Sequence, residues 1–161
     1  MIETDKFILF WKDKLSNFSY SPFIDETGIK FFCVEQYFMY QKAITFNDQD
    51  IATKILRTTK PWEAKALGRQ VSGYDDSVWS KVREDIMFKG NLMKYKQNKS
   101  YQDLLLKPEW RNKRFVEANP YDKIWAIGLS PEDPLAWDES NWRGLNLLGK
   151  VLDKVRAELL K

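Results

Sequence analysis

The sequence of 161 residues contains no histidine and a single cysteine, Cys33. The absence of histidine excludes Ser-His-Asp and Cys-His nucleophilic systems and histidine-ligated metal sites. One cysteine forms no internal disulfide, which fits a reducing compartment. Any catalytic chemistry must therefore come from Asp, Glu, Lys, Arg, Tyr and Ser side chains. We expect no cofactor and no metal, although Mg²⁺ sites built from Asp and Glu alone stay open.

Long apolar runs and long charged runs are also missing. No run approaches the roughly 18 apolar residues of a membrane-spanning helix, and the first residues lack a signal-peptide pattern, so we expect a cytoplasmic protein with no membrane partner. The net charge is +3, from 26 basic and 23 acidic side chains. This balance permits an anionic ligand, and it argues against a structural DNA-binding protein, which would carry a basic stripe.

Aromatic residues are abundant, with 7 Trp, 7 Tyr and 10 Phe.

The apolar periodicity and the turn residues predict one α+β domain over residues 1–161, mostly helical with a small β-sheet. The predicted strands are 7–11, a hairpin over 21–33, 114–118 and 123–128. The predicted helices are 34–43, 48–58, 61–69, 75–97, a short helix capped by Ser100, and 142–160.

The helix predicted over residues 34–43 is apolar nearly all round, yet it contains Glu35 and Lys42. At about 100° per residue the two charges lie within roughly 20° on the helix wheel and about 10.5 Å apart along the axis. Charged groups on an apolar face are seldom buried unless they are paired or functional. The alternative is that Glu35 is favoured by the helix dipole and that the Lys42 ammonium reaches water near the helix end.

Two further segments carry more polar and glycine residues than packing requires. Asp122 precedes a predicted strand and follows an Asn-Pro turn, so it is either a site acid or an ordinary turn residue. Gly144 and Gly149 flank the predicted start of the last helix, where free backbone N–H groups would hold a phosphate. The alternative is that Gly144 only loosens the first helical turn.

The ordered set of motifs in this chain resembles the NADAR family, also called YbiA-like, from about residue 7 to residue 160. The motifs are Phe10-Trp11, Leu15-Ser16-Asn17-Phe18, Val34-Glu35-Gln36-Tyr37, Gln41-Lys42-Ala43, Ala64-Lys65-Ala66-Leu67-Gly68-Arg69, Trp79, Met87, Glu117-Ala118-Asn119-Pro120, Asp122, Trp125 and Gly144-Leu145-Asn146-Leu147-Leu148-Gly149. The family usually has His where this chain has Gln36, which suggests that this side chain is not essential to the chemistry.

The resemblance implies an enzyme that hydrolyses ribosyl N-glycosidic bonds. Some members remove ADP-ribose from ADP-ribosylated guanine in DNA, and others act on early phosphoribosyl pyrimidine intermediates of riboflavin biosynthesis. The segment from Trp142 to Asn146 resembles the first group more closely, so ADP-ribosylated DNA is the preferred substrate. A DNA ADP-ribosylating toxin would then be a functional partner. A third possibility is a non-catalytic ADP-ribose or nucleotide-binding module, against which the intact Glu35, Lys42 and Asp122 argue.

The resemblance also implies roles for individual side chains. The catalytic candidates are Glu35, Lys42 and Asp122, with a carboxylate beside the sugar C1 and Lys42 either forming a Schiff base or holding a phosphate. Arg69 either binds a phosphate or is a surface cation at a helix C-terminus. The substrate-binding candidates are Phe10, the stacking residues Trp11, Trp79, Trp125 and Trp142, and the hydrogen-bonding residues Ser16, Asn17, Gln41 and Asn146, together with Arg69.

Overall fold

The computed structural model describes residues 1–161, which form six α-helices and five short β-strands. The predicted mostly helical α+β fold with a small sheet is confirmed. The chain divides into two compact units, one made of Met1–Ser16 with Lys99–Lys161 and the other of Asn17–Asn98. The extent of a single domain over residues 1–161 stays a prediction. None of the helices combines the length and the apolar character that a membrane span requires.

The first unit is built on a three-stranded sheet in the order β1, β2, β5. Strand β1 (Ile2–Glu3) pairs antiparallel with β2 (Phe7–Phe10), which pairs in parallel with β5 (Arg114–Glu117). All four residues of β2 are buried, which explains why this central strand is a continuous apolar run. The strands predicted at residues 7–11 and 114–118 are therefore confirmed.

Helix α5 (Lys99–Leu105) and helix α6 (Leu147–Leu159) complete this unit, and α6 packs on β5. The prediction that Ser100 caps α5 is wrong, because the helix begins one residue earlier. The predicted start of the last helix at Trp142 is also wrong. Asn146 adopts a left-handed backbone with a φ of 53°, which a helix cannot include, and α6 begins after it.

The strand predicted over residues 123–128 does not form. Its carbonyl groups accept hydrogen bonds from the segment before α6, for example Arg143 N to Ile127 O at 2.8 Å and Leu145 N to Lys123 O at 2.9 Å. A single ladder bond, from Ile127 N to Glu117 O, connects it to β5. The apolar run is therefore buried as an irregular loop, in which Ala126 and Ile127 contribute to the core.

The second unit contains a hairpin and four helices. The hairpin pairs β3 (Phe23–Ile24) with β4 (Lys30–Phe31) through a turn in which Gly28 has a φ of 90°. The helices are α1 (Val34–Thr45), α2 (Gln49–Arg57), α3 (Pro61–Gly68) and α4 (Asp76–Gln97). All are close to their predicted bounds, and Asp48 and Asp75 cap α2 and α4 with their side chains.

Helix α1 is packed against α2, α3 and α4. Two glycines permit these close contacts. A Cβ atom at Gly68 of α3 would clash with Met39 Sδ, and one at Gly90 of α4 would lie 2.7 Å from Tyr37 Cδ1. Because α1 is enclosed on several sides, its apolar residues are buried nearly all round, as the sequence predicted, and Glu35 is buried with them.

Candidate functional site

Glu35 lies in the first turn of α1 and is only 8% exposed. No side chain caps this helix, and the Glu35 amide donates instead to the carbonyl of Asn17 at 3.0 Å. A carboxylate at the positive end of a helix is favoured by the helix dipole. Its burial goes beyond what the dipole alone explains, since such an acid is normally exposed. This observation favours a functional acid over a surface residue.

Lys42 is half-buried two turns further along α1. Burial lowers the pKa of its ammonium, the negative charge of Glu35 opposes that effect, and the positive charge of Arg69 adds to it. Lys42 therefore lies within electrostatic range of both Glu35 and Arg69. A desolvated amine loses its proton more easily than an exposed one, which suits a nucleophile. The catalytic role itself stays a prediction.

Tyr74 contacts Lys42 and was missed in the sequence. The Lys42 Nζ lies 4.7 Å from the centroid of the Tyr74 ring, within the range of a cation–π interaction. The Tyr74 hydroxyl donates to Asp76 Oδ1 at 2.8 Å, and the ring packs edge-on against Phe46 at 5.4 Å. The tyrosine follows Gly73 in the loop between α3 and α4, where no periodicity marks it.

Arg69 follows α3 directly, with an exposed side chain, and its amide donates to the carbonyls of Lys65 and Ala66. Both predicted interpretations have support. The position is a helix C-terminus, as for a surface cation. Its charge also acts on the pKa of Lys42, which locates it near the candidate nucleophile, where a phosphate would be held.

The second unit contains three other residues that the sequence predicted to bind substrate. Trp79 is on α4, Gln41 is on α1, and Asn17 precedes α1. Trp79 is nearly buried and packs on Phe38 at 5.1 Å, so its ring belongs to the core. Asn17 is buried, and its Nδ2 approaches Met87 Sδ at 3.3 Å. Gln41 is half-buried on α1. Of the three, Gln41 keeps the side chain most available to a ligand.

The prediction that Gln36 is not essential to the chemistry agrees with its contacts. Its Oε1 accepts from Phe32 N at 2.9 Å, and its Nε2 donates to the carbonyls of Ile55 at 3.1 Å and Thr58 at 3.3 Å. The side chain thus connects the start of α1 to the end of α2. Gln36 has a structural role that an imidazole, with one donor and one acceptor, performs in part.

In the first unit, Phe10 is fully buried in β2. No part of the side chain is accessible, which argues against its predicted substrate contact. Trp11 is half-buried, with Lys12 Nζ 4.2 Å above its ring and Tyr121 at 6.0 Å. Ser16 is half-buried at the end of the following loop, where its amide donates to the Asp13 carbonyl at 2.9 Å. Trp11 and Ser16 stay candidates.

Asp122 organises the loop that follows it. Its Oδ1 accepts from the amides of Ile124 and Trp125, each at 2.8 Å. This is the ordinary turn role that the sequence left open. The second of these bonds holds the backbone of the half-buried Trp125 beside the carboxylate. A catalytic role of the carboxylate stays a prediction.

The phosphate site predicted at the start of the last helix is absent. The amides of residues 145–148 donate in turn to the carbonyls of Lys123, Ala126, Ile124 and Trp125 at 2.9–3.2 Å. No free N–H group of these residues is left for an anion. The glycines serve packing: a Cβ atom at Gly144 would lie 2.7 Å from Lys123 Cα, and one at Gly149 would clash with the Phe115 carbonyl.

The same segment gives structural roles to two predicted ligand contacts. Asn146 is buried, with Oδ1 accepting from Glu117 N and Nδ2 donating to Phe115 O, both at 3.0 Å. Trp142 packs its ring on Phe7 at 5.2 Å and donates Nε1 to Ala136 O at 2.8 Å. Both side chains hold the core of the first unit, and their predicted substrate contacts stay predictions.

No group of three or more Cys, Asp or Glu side chains is arranged to hold a metal ion. Burial raises the pKa of the Cys33 thiol to about 12, so this cysteine is a neutral, unreactive group at physiological pH. Cys33 is therefore not among the nucleophilic candidates.

Comparisons with known proteins relate the chain to one family. The chain is 46% identical over 136 residues to Protein irg-1 of Caenorhabditis elegans, a match that covers 83% of this chain and 63% of that protein. It is 41% identical over 133 residues to N-glycosidase R617 of Acanthamoeba polyphaga mimivirus, covering 83% and 77%. The NMR structure of the E. coli protein YbiA superposes with a TM-score of 0.77 at 27% identity, covering 99% of this chain and 88% of that one. The NADAR domain model matches residues 9–160, and the chain therefore belongs to the NADAR family.

Proposed function

We propose that the chain is an N-glycosidase that hydrolyses a ribosyl N-glycosidic bond, with ADP-ribosylated guanine in DNA as the preferred substrate. The observation that carries the proposal is the pairing of Glu35, a buried acid, with Lys42, a desolvated amine, on one helix. The N-glycosidase R617, 41% identical to this chain, supports the reaction type.

The carboxylate of Glu35 acts on the sugar. Breaking the ribosyl C1–N bond builds positive charge on C1 and the ring oxygen, as in other glycoside hydrolysis. A buried carboxylate beside C1 stabilises that charge more strongly than an exposed one, because the local dielectric is low. Asp122 is the alternative candidate acid, and in that role its carboxylate would orient or deprotonate the attacking water.

Lys42 provides the covalent route. Its neutral amine attacks C1 and displaces the base, which leaves with the electrons of the C1–N bond and takes up a proton from the amine. The C1–O bond of the sugar ring then breaks, the ring oxygen takes up the second proton of the lysine nitrogen, and water hydrolyses the resulting imine to the free sugar and the amine. The lowered pKa of Lys42 favours the neutral form that this route requires. Arg69, which acts electrostatically on Lys42, is suited to hold the pyrophosphate of an ADP-ribosyl group.

The proposal is tested with a single-stranded DNA oligonucleotide that carries ADP-ribosyl-guanine, followed by mass spectrometry. The wild-type chain should release unmodified oligonucleotide, and Glu35→Gln should not. Glu84→Gln is the matched control, because Glu84 is an exposed acid on α4 of the same unit. Equal release by Glu35→Gln and Glu84→Gln would exclude Glu35 from the chemistry.

Two other results would redirect the proposal. If the oligonucleotide is untouched, the phosphoribosyl pyrimidine intermediates of riboflavin biosynthesis are tested with the same variants. If neither substrate is cleaved but ADP-ribose binds, and Glu35→Ala binds it equally well, the chain is a binding module. Cleavage of the oligonucleotide would give a basis for testing whether co-expression protects cells from a DNA ADP-ribosylating toxin.

A further inference from the structure

The surplus of positive charge in this chain is located in one stretch of the second unit. Residues 51–69 cover most of α2, the connection after it and α3, and they contain five basic side chains and one acid. The basic residues are Lys54, Arg57, Lys60, Lys65 and Arg69, and the acid is Glu63. Because the whole chain has a net charge of +3, the rest of the chain carries a net charge of −1. A local positive patch of this kind attracts an anionic partner.

The one acid of this stretch is already engaged at the start of α3. Glu63 Oε2 accepts from Thr58 Oγ1 at 2.6 Å, and Glu63 Oε1 lies 3.8 Å from Lys60 Nζ. Lys65 and Arg69, further along α3, form no ion pair with any acid of the chain. The two cations of α3 are therefore left to an anion that comes from outside.

One side of α3 combines these cations with a tryptophan. We call it the α3 face, and its members are Trp62, Lys65, Ala66 and Arg69. Their spacing of i, i+3, i+4 and i+7 puts them on one side of a helix. Arg69 belongs to this side because its backbone stays right-handed helical, with a φ of −73° and a ψ of −16°. Three of the four residues are exposed, and Lys65 is half-buried.

The aromatic rings of this surface have cations beside them. Trp62 is 61% exposed, so it forgoes most of the stabilisation that burial of an indole supplies. Lys60 Nζ lies 5.9 Å from the centroid of the Trp62 ring, and Lys65 Nζ lies 5.8 Å from that of the exposed Phe18 ring. Aromatic faces next to positive charges are the arrangement that binds single-stranded nucleic acid, in which unpaired bases stack and phosphates meet the cations.

The C-terminal end of the α3 face is next to the candidate site. Gly68 lies so close to α1 that a Cβ atom on it would clash with Met39 Sδ. Met39 precedes Lys42 by about one turn of α1, and Lys42 lies within electrostatic range of Arg69. Trp62 is seven residues from Arg69, which is about 10.5 Å along the helix axis. The α3 face therefore leads away from the candidate site.

We propose that the α3 face binds the single-stranded DNA next to the modified guanine, with Trp62 stacked on an unpaired base and Lys65 in contact with a phosphate. The binding face stands on exposure, spacing and charge, and only its service to a substrate strand rests on the proposed function. A single strand is favoured over a duplex, because paired bases are stacked on each other and offer no open face to an indole.

The stacking role is tested by fluorescence anisotropy with an unmodified thymidine oligonucleotide. The wild-type chain should bind it with a Kd in the range of roughly 1–100 µM. Trp62→Ala should weaken binding roughly 5- to 150-fold, and Trp62→Phe should retain most of it. Trp137→Ala is the matched control, because Trp137 is 44% exposed but lies in residues 131–139, which contain four acids and no basic residue. It should bind as the wild type does.

Three results of this experiment would overturn the proposal. The first is a wild-type chain that does not bind the oligonucleotide in this range. The second is equal binding by Trp62→Ala and the wild type. The third is tighter binding of a duplex of the same length, or of vesicles of anionic phospholipid, than of the single strand.

The phosphate contact is tested by the salt dependence of the same binding. Each phosphate that a cation neutralises on a single strand contributes about 0.7 to the slope of log Kd against log salt concentration. Lys65→Gln should therefore reduce this slope by about 0.7. Lys89→Gln is the control, because Lys89 is exposed on α4 and paired with Asp85 at 3.1 Å, and it should leave the slope unchanged. An unchanged slope in Lys65→Gln would contradict the phosphate contact.

The service to a substrate strand is tested by comparing two substrates, the ADP-ribosyl-guanine oligonucleotide and ADP-ribosyl-guanosine, which has no flanking strand. Trp62→Ala should raise KM for the oligonucleotide by the factor seen in binding and leave hydrolysis of the nucleoside unchanged. Equal losses on both substrates would show that Trp62 acts on the reacting sugar and would overturn the proposal. If the wild type cleaves neither substrate, the proposed function fails, while binding of the unmodified oligonucleotide still decides the α3 face.

Discussion

The ammonium of Lys42 lies 4.7 Å from the centre of the Tyr74 ring, and the hydroxyl of that ring donates to Asp76. A hydroxyl bonded to a carboxylate makes the ring more electron-rich, which strengthens its attraction for a cation. Tyr74 therefore favours the protonated form of Lys42, whereas burial favours the neutral form. Together with the charges of Glu35 and Arg69, these two influences determine the pH at which Lys42 becomes a neutral amine.

Replacing Tyr74 by Leu should shift the working pH of the enzyme downward. Leu keeps an apolar neighbour but removes the aromatic face, so the ammonium of Lys42 loses about 0.5–1 kcal/mol of stabilisation. The ascending limb of kcat/KM should then move to lower pH by roughly half a unit, because 1.36 kcal/mol corresponds to one pKa unit. Tyr74→Phe keeps the ring and should behave nearly as the wild type. A shift to higher pH in Tyr74→Leu would show that the ring acts by shielding Lys42 from water.

Sodium borohydride should trap a sugar adduct on Lys42 during turnover. Reduction of the imine gives a stable secondary amine, which mass spectrometry locates on the peptide that contains residue 42. Lys42→Arg should give no adduct and lower kcat by roughly a hundredfold or more. Lys54→Arg is the control, since Lys54 is an exposed lysine on α2. No adduct in the wild type, together with an active Lys42→Arg, would contradict the covalent route.

Gln36→Leu should destabilise the chain by roughly 2–3 kcal/mol, because it leaves the Phe32 amide and two carbonyl groups without their buried partner. Gln36→His retains one donor and one acceptor and should cost about 1 kcal/mol or less. Urea unfolding measures both changes. Activity per folded molecule should be unaltered in Gln36→His, and a catalytic loss there would assign the amide a role beyond structure.

Asn146→Ala should lower stability by roughly 2–4 kcal/mol, since it removes two buried hydrogen bonds to β5. The left-handed backbone at this position adds to the cost, because alanine adopts it less readily than asparagine. Under conditions where the variant is folded, KM should be unchanged. A raised KM with normal stability would restore the substrate contact that the sequence suggested.

Asp153 predicts a pH dependence of stability. Burial raises the pKa of its carboxyl, opposed by the Phe115 amide and by Arg156. The folded chain therefore retains this proton to higher pH than the unfolded chain, and the stability that the group contributes at low pH is lost as pH rises through the folded-state pKa. Asp153→Asn keeps an acceptor for the Phe115 amide. Relative to the wild type, the unfolding free energy of Asp153→Asn should increase over the pH range that starts near the unfolded pKa of about 3.9 and extends upward from it. A difference that is constant over this range would contradict the shift.

The elements that the sequence predicts well are those with local signals. Helices α2 and α4 have an acidic cap followed by helical periodicity, and β2 is a bounded apolar run. The loop at residues 123–128 is apolar like a strand, but its hydrogen-bonding partners lie in residues 143–148. No local sequence pattern predicts that pairing. The late start of α6 has the same origin, since the left-handed Asn146 is held by contacts with β5.

The sequence predicts only that part of the candidate site in which two residues are related by the geometry of one helix. Glu35 and Lys42 are related by the period of one helix, so their shared face was visible in the sequence. Tyr74 meets Lys42 from a loop, and Lys94 is buried on another helix. Nothing in the sequence distinguishes the fully buried Lys94 from the other basic side chains, of which the chain has 26 in all. Ring content does not tell a core residue from a stacking residue: Trp79 packs on Phe38 and Trp142 on Phe7, and their predicted stacking on a ligand stays a prediction.

Because Glu35 and Lys42 share the enclosed helix α1, insertions and deletions between them should be excluded. Adding one residue would turn Lys42 by about 100° and move it about 1.5 Å along the axis. The amine would then face α2, α3 or α4 in place of Glu35, Arg69 and Tyr74. Substrate preference within such a fold can change through the loops around α1, while the distance between Glu35 and Lys42 along the helix stays fixed.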